Sequence, residues 1–267
     1  IGIPSKIPLI NKYYGYQNGE LVVLGARAKY GKSNYAVNEA HFLGMECNVP
    51  VAIFDTEMKT RTFTSRILAL DSGVPITEIQ NGSYKNHFDK SVRVENSIEK
   101  LRKAPIIHKY NPFWDKPKVA STAKLLKIKN SLGLLIYDYI KVKEVSGNMK
   151  EHSELGNWTI FLKDLAGELD IPILTFAQLS PYERRLADSD KINRYASVVG
   201  YLLPKSGQQI IRDMGAEQGG TDYLYVDYNR LGESMTDPDF GINLIYTRYL
   251  AKFEQAPVQP LVQSYDD

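Results

Sequence analysis

Cysteine is almost missing from this chain: Cys47 is the single one in 267 residues. One cysteine excludes an internal disulfide framework and fits a reducing cytosol, with Cys47 itself expected to be a small core residue. No apolar run approaches the roughly 18 residues that a membrane span requires. No basic and apolar leader opens the chain either, so a cytoplasmic protein away from the membrane is expected. Net charge is scarce too, +2 from 33 Lys and Arg against 31 Asp and Glu. Any nucleic acid must therefore be held by a local patch and not by the field of the whole molecule. No internal repeat is visible. The chain opens on Ile1 instead of methionine, so a preceding domain is an expectation.

The remaining composition, 43% hydrophobic and 24% charged, is that of an ordinary globular protein with a substantial core. The most informative stretch is Leu21 to Ser33, LVVLGARAKYGKS. An apolar run enters a loop of small residues that closes on Gly31-Lys32-Ser33, and helical spacing follows in NYAVNEAHFLG. Strand, loop and helix in that order form a phosphate-binding P-loop, in which backbone N–H groups and a helix start face an anion. Residues 26–34 (Ala26, Arg27, Ala28, Lys29, Tyr30, Gly31, Lys32, Ser33 and Asn34) would line the phosphates. Lys32 would reach the β- and γ-phosphates, and the Ser33 hydroxyl would bind Mg²⁺. The pattern G-x-x-x-x-G-K-[ST] asks for glycine where Ala26 stands, although Gly25 precedes it. A nucleoside triphosphate ligand is expected.

Further along, VAIF, APIIHKY, LGLLIYDYI and IPILTFAQL read as strands, as do VVGYLL, TDYLYVDY and INLIYTRY, the last two antiparallel. Helices are expected over 61–70, 91–103, 121–130 and 154–169, the third capped by Ser121. The stretch 180–193 is charged and expected to be mobile. Residues 251–267, Pro- and Gln-rich with an acidic end, read as an extended arm beyond a domain spanning 1–250. Strands apolar on both faces and alternating with helices predict an α/β fold, with a mainly parallel sheet covered on both sides and antiparallel strands at its C-terminal edge.

Nucleotide hydrolysis needs a metal-orienting carboxylate and a group to position water. Asp138 closes the apolar run LLIYD, which delivers it to the strand end near the P-loop. An aspartate that merely ends a strand is the bland alternative. Glu57 in FDTEM suits a general base; Asp55 competes with it, and Glu57 could instead cap the next helix. Gln178, leaving the strand TFAQL, could sense the γ-phosphate. Arg230 in DYNRLGES could project from the sheet's rim toward a neighbouring subunit, or be a solvated hairpin arginine.

Taken together, these segments resemble the C-terminal motor domain of DnaB-type replicative helicases, a hexameric RecA-fold group. ARAKYGKS is similar to that family's P-loop, FDTEM to its Ser-Leu-Glu-Met segment, and DSGVPITEIQNG to its SGVP turn. LGLLIYDYIKV resembles the metal-binding strand, LKDLAGELDIPILTFAQLS the segment ending in Gln-Leu-Ser, and YNRLG the Lys-Gln-Arg-Asn-Gly finger. The matches run in the family's order from about Gly19 to Tyr246. The resemblance implies Glu57 as catalytic base, Asp138 with Ser33 at Mg²⁺, Gln178 as sensor, and Arg230 as an arginine finger acting on the next subunit.

Three departures stand out. Tyr228 replaces the family lysine two residues before the finger, Ser197 replaces an Asp before the strand at Val198, and the family's Gly-containing DNA loop is not recognisable in DSDKINRYAS. The helical N-terminal domain that stabilises the family's ring lies outside this sequence, and the 18 tyrosines suggest a divergent phage-type member. The function implied is ATP-driven, 5′→3′ translocation of a homohexamer on single-stranded DNA, with a primase or helicase loader as further partner. DNA contacts would come from Lys141, Lys143 and Lys150 after Asp138, and from Lys191 and Arg194 in the later loop. Against this stand a RecA/RadA-like recombination ATPase and a non-hydrolysing, helicase-like adaptor or loader.

Overall fold

The computed structural model describes residues 2–140, 148–179, 186 and 189–260; for residues 148–153 and 189–191 it describes the backbone alone. In chain order the elements are α1 (Ile10–Tyr13), β1 (Leu21–Arg27), α2 (Lys32–His41), β2 (Val51–Asp55), α3 (Thr60–Ser72), α4 (Ile76–Asn81) and α5 (Phe88–Lys103). Then follow β3 (Ile106–Tyr110), α6 (Lys116–Asn130), β4 (Leu134–Asp138), α7 (Asn148–Leu169), β5 (Ile173–Leu179) and α8 (Ser189–Tyr195). The remainder comprises β6 (Val198–Pro204), α9 (Gly207–Arg212), α10 (Ala216–Gly219), β7 (Asp222–Asn229), β8 (Ile242–Thr247) and β9 (Lys252–Gln255).

All nine of these strands join one sheet in the order β3-β2-β4-β5-β1-β6-β7-β8-β9. Pairing is parallel from β3 to β6 and antiparallel from β6 to β9. This is the expected α/β architecture, with its antiparallel strands at the C-terminal edge. The apolar runs explain it: β2 and β4 are buried at every position, and β1 at all but its last, as strands covered on both faces must be. Helices α2, α3 and α5 pack in one series, and α6, α7 and α8 in another.

Three expectations need correction. The third helix starts at Lys116, not Ser121, because Asp115 caps it by accepting from the Lys118 N–H at 2.8 Å. Pro117 sits in the first turn, where its missing N–H costs nothing. Ser121 instead donates to the Lys118 carbonyl inside the helix. Cys47 is exposed, not in the core, since it closes the π-helical turn over Phe42–Glu46. The segment 251–267 is not an arm throughout, because Lys252–Gln255 form β9 on β8, with Phe253 fully buried. Of the stretch 180–193 expected to be mobile, residues 180–185 and 187–188 lie outside the described residues, and Ser189 begins α8. No helix among the described residues is long and apolar enough to cross a membrane.

Candidate active site

Parallel register brings the chemistry to one edge of the sheet. Asp55 is level with Asp138, and Ala26 with Gln178, so the ends of β1, β2, β4 and β5 share the carboxyl edge. Ala26 lies inside β1, fully buried, and an extended strand backbone does not require glycine there. Arg27 ends the strand, exposed Ala28 and Lys29 begin the loop, and Tyr30 donates its N–H to the Arg27 carbonyl. Gly31 caps α2 at φ 93°, a left-handed conformation that favours glycine. A Cβ there would also stand 2.8 Å from the Phe253 ring. The loop therefore leads directly into the helix at Lys32, as a phosphate cradle requires.

Lys32 is largely buried, and burial pulls its pKa down against the opposing pull of Asp138 and Glu57. Its Nζ lies 4.9 Å from the centroid of the Tyr139 ring. Asp138 is 1% exposed, and neither carboxylate oxygen has a full hydrogen bond. Burial first, then the negative Asp55, pushes its pKa up to about 7, while the Ser33 hydroxyl and the Lys32 ammonium favour the charged form. A buried carboxylate without donors, facing a serine hydroxyl, is the donor set of a hard divalent cation. Ser33 and Asp138 thus fit Mg²⁺.

Asp55 and Glu57 are placed differently. Asp55 is fully buried, and its Oδ1 accepts from the N–H groups of Glu57 (2.8 Å) and Met58 (2.5 Å). Glu57 is exposed at the edge, and its Oε1 accepts from the Tyr139 hydroxyl at 3.0 Å. Burial, then the Glu57 charge, raises the Tyr139 pKa, which keeps the phenol a donor. Gln178 is exposed one strand from Asp138.

Arg230 is not part of this cluster. It follows β7 at the opposite edge, where its N–H donates to the Ser197 carbonyl and Nη2 to that of Arg194 at 2.7 Å. Ser197 in turn pairs with Leu21, the first residue of β1. The length of β1, roughly 20 Å at 3.3 Å per residue, separates Arg230 from its own P-loop. Tyr228 lies beside it, with its hydroxyl 3.5 Å from the Arg230 Nε. The Ser197 hydroxyl donates to Glu20, which also holds Lys163 at 2.6 Å.

Arg194, with its carbonyl on the Arg230 side chain, is exposed on that same edge. Lys141 and Lys143 lie outside the described residues, as do the side chains of Lys150 and Lys191.

Sequence reasoning missed a second wall of the cradle. Tyr246 of β8 bonds the Asn34 side chain and stacks on Phe253 at 4.0 Å, and Arg248 lies 4.7 Å from the Tyr246 centroid. The Arg248 Nη1 also reaches the Lys29 carbonyl at 3.5 Å. The contacts of Tyr246 with Asn34 and of Arg248 with Lys29 span 212 and 219 residues of sequence, and no local motif announces them.

Fold and site together define a P-loop nucleotide-binding domain built on a mainly parallel sheet. More particularly, the chain belongs to the DnaB-like helicase C-terminal domain family, which matches residues 2–254. It is 25% identical over 214 residues to the replicative DNA helicase DnaB of Geobacillus stearothermophilus, covering 75% of this chain and 47% of that protein. Against the DnaB of Treponema pallidum identity is 29% over 211 residues, covering 76% and 48%. The chain thus spans about half the length of these curated relatives.

Among solved structures, a DnaB-like replicative helicase described with its interactions with primase superposes with a TM-score of 0.78 at 17% identity, over 95% of this chain and 62% of that one. The RadB recombinase reaches 0.55 at 13% identity, over 94% and 97%. At these identities the likeness is one of fold.

Proposed function

We propose that this chain is the ATP-hydrolysing motor of a replicative DNA helicase, working as a ring of identical copies on single-stranded DNA in the cytoplasm. The observation that carries this reading is the orphaned Asp138 carboxylate, facing Ser33 and Lys32 with Glu57 on the adjoining strand end. Ser33 and Asp138 would hold Mg²⁺, which when bound neutralises phosphate charge. Lys32 binds the β- and γ-phosphates, Glu57 takes a proton from the attacking water, and Gln178 contacts the γ-phosphate. Arg230 serves the site of the next copy.

Membership in the helicase family and the lower likeness to the recombinase favour this reading over a recombination ATPase. A primase partner is proposed by analogy with the similar helicase described with primase. Lys141, Lys143, Lys150, Lys191 and Arg194 remain the proposed DNA contacts.

Steady-state ATP hydrolysis with and without single-stranded DNA tests it. We expect DNA to stimulate turnover, and Glu57→Gln to lower kcat by about 10²–10⁴-fold, the usual contribution of a general base. A wild-type chain that binds ATP yet never turns it over, at any concentration and with DNA present, would favour the adaptor instead.

A further inference from the structure

Glu57 can act only if its turn holds still, and the turn has no regular secondary structure of its own. It connects the end of β2 to the start of α3 across Thr56–Lys59. The Thr56 N–H ties its start to the Asp138 carbonyl at 2.8 Å, and Asp55 holds the next two residues, its Oδ1 taking the N–H groups of Glu57 and Met58. The other oxygen of Asp55, Oδ2, faces His108 Nε2 at 3.4 Å. His108 is on the neighbouring strand β3, its side chain 3% exposed. Its Nδ1 lies 3.1 Å from the Thr60 hydroxyl, the first residue of α3, and its ring stacks on Phe63 of that helix at 4.3 Å.

Only one assignment of protons satisfies the whole chain with a neutral imidazole. An ionised carboxylate accepts and never donates, so Nε2 carries the hydrogen toward Asp55. Nδ1 is then an acceptor, and the Thr60 hydroxyl donates to it. The orientation of Asp55 is thereby set from two sides, by its own turn and by a histidine that α3 holds in plane. This is the arrangement by which an outer partner orients a functional group through hydrogen bonds.

We propose that His108, acting through Asp55, is the positioning residue of the base: the relay Thr60–His108–Asp55 fixes the backbone at Glu57 so that its carboxylate meets the attacking water. This deepens, and rests on, the reading of Glu57 as general base. His108 touches neither the cradle nor the metal-fitting pair, so its effect falls on turnover and not on nucleotide binding. A misplacement on the order of 1 Å can cost about 10²-fold in rate.

The test compares His108→Phe, His108→Gln and Thr60→Val with wild type and Glu57→Gln. Three readouts are used: kcat and KM for ATP, affinity for a fluorescent nucleotide, and hydrogen exchange over residues 55–60 without nucleotide. His108→Phe keeps the stack on Phe63 but removes both hydrogen bonds. It should lower kcat by about 10²-fold, leave KM and nucleotide affinity within twofold, and speed exchange at the Glu57 and Met58 amides. His108→Gln, whose Nε2–H can still donate to Asp55, should restore most of the turnover and the protection. Thr60→Val, on the exposed side, should shift both readouts in the same direction by less.

Wild-type kcat and protection in a folded His108→Phe would overturn the proposal, and so would a loss in which affinity falls as far as kcat. Should that variant not fold, Thr60→Val decides alone, and unchanged kcat and exchange there overturn it. If Glu57→Gln turns over like wild type, the base assignment is what fails. Amide exchange in His108→Phe then still reports whether the relay sets the turn.

Discussion

Glu39 shows how a single buried residue can make stability depend on pH. It lies on α2 with no exposed surface, its Oε1 accepting from the Ser5 hydroxyl at 2.6 Å and its Oε2 from the Lys6 N–H at 3.1 Å. Burial raises its pKa above the ordinary 4.5 despite those donors. A carboxyl whose folded pKa is raised binds its proton more tightly in the folded state. Its favourable contribution is complete below the unfolded value and is lost as pH rises through the folded one. Against Glu39→Gln, which cannot ionise, the wild type should therefore lose relative stability as pH rises above 4.5. Urea unfolding of both proteins across that range measures it, and a constant difference would show that Glu39 titrates normally.

Single residues were unevenly legible. Lys32 and Ser33 just beyond one apolar strand, and Asp138 at the end of another, foretold their meeting. The choice of Glu57 over Asp55 as base rested on the resemblance of FDTEM and not on spacing; which carboxylate the backbone amides of the turn occupy is visible only in the fold. His108 carries no motif at all, and its part depends on β3 lying beside β2.

Among the elements, two local devices deserve direct measurement. The Asp115 cap satisfies one of the otherwise unpaired N–H groups at the start of α6. Asp115→Ala should lower stability by about 1 kcal/mol, read from the urea midpoint at constant slope. β9 matters more. Phe253 is fully buried, packed against Tyr35 and Tyr246 and close to Gly31. Phe253→Ala should cost about 3–5 kcal/mol and also weaken nucleotide binding, since the ring backs the cradle. Nucleotide titration of the folded variant separates the two effects.

β9 escaped the sequence because KFEQ holds one apolar residue, too few to show a period of two. The N-terminus of α6 escaped for a related reason: Ser121 is a plausible cap by type, but Asp115 with Pro117 supplies the stronger start. By contrast β1, β2, β4 and β5 were legible because a strand buried on both faces writes itself as a continuous apolar run.

At the scale of the whole molecule, the decisive fact is that Arg230 and the P-loop occupy opposite edges of one sheet. The register of β1 with β6 and of β6 with β7 puts Asn229 level with Val198, at the end where β1 begins. A side chain about 7 Å long does not cross a strand of roughly 20 Å, so Arg230 cannot serve the nucleotide of its own chain. Either it is structural, held by the Ser197 and Arg194 carbonyls, or it completes a second copy's site. Mixing two inactive variants distinguishes these.

In a ring containing Glu57→Gln and Arg230→Ala copies, some interfaces combine the intact Arg230 of one with the intact Glu57 of the other. Turnover should then exceed that of either variant alone and peak near equal amounts, approaching a quarter of wild type if assembly is random and interfaces act independently. An arginine finger contributes about 10³–10⁵ in rate, so each variant alone should be close to silent and the recovered signal plain. If Arg230→Ala alone retains wild-type turnover, the arginine is structural. If the mixture stays silent although both variants assemble, Arg230 does not complete a second copy's site, and its loss acts within its own copy.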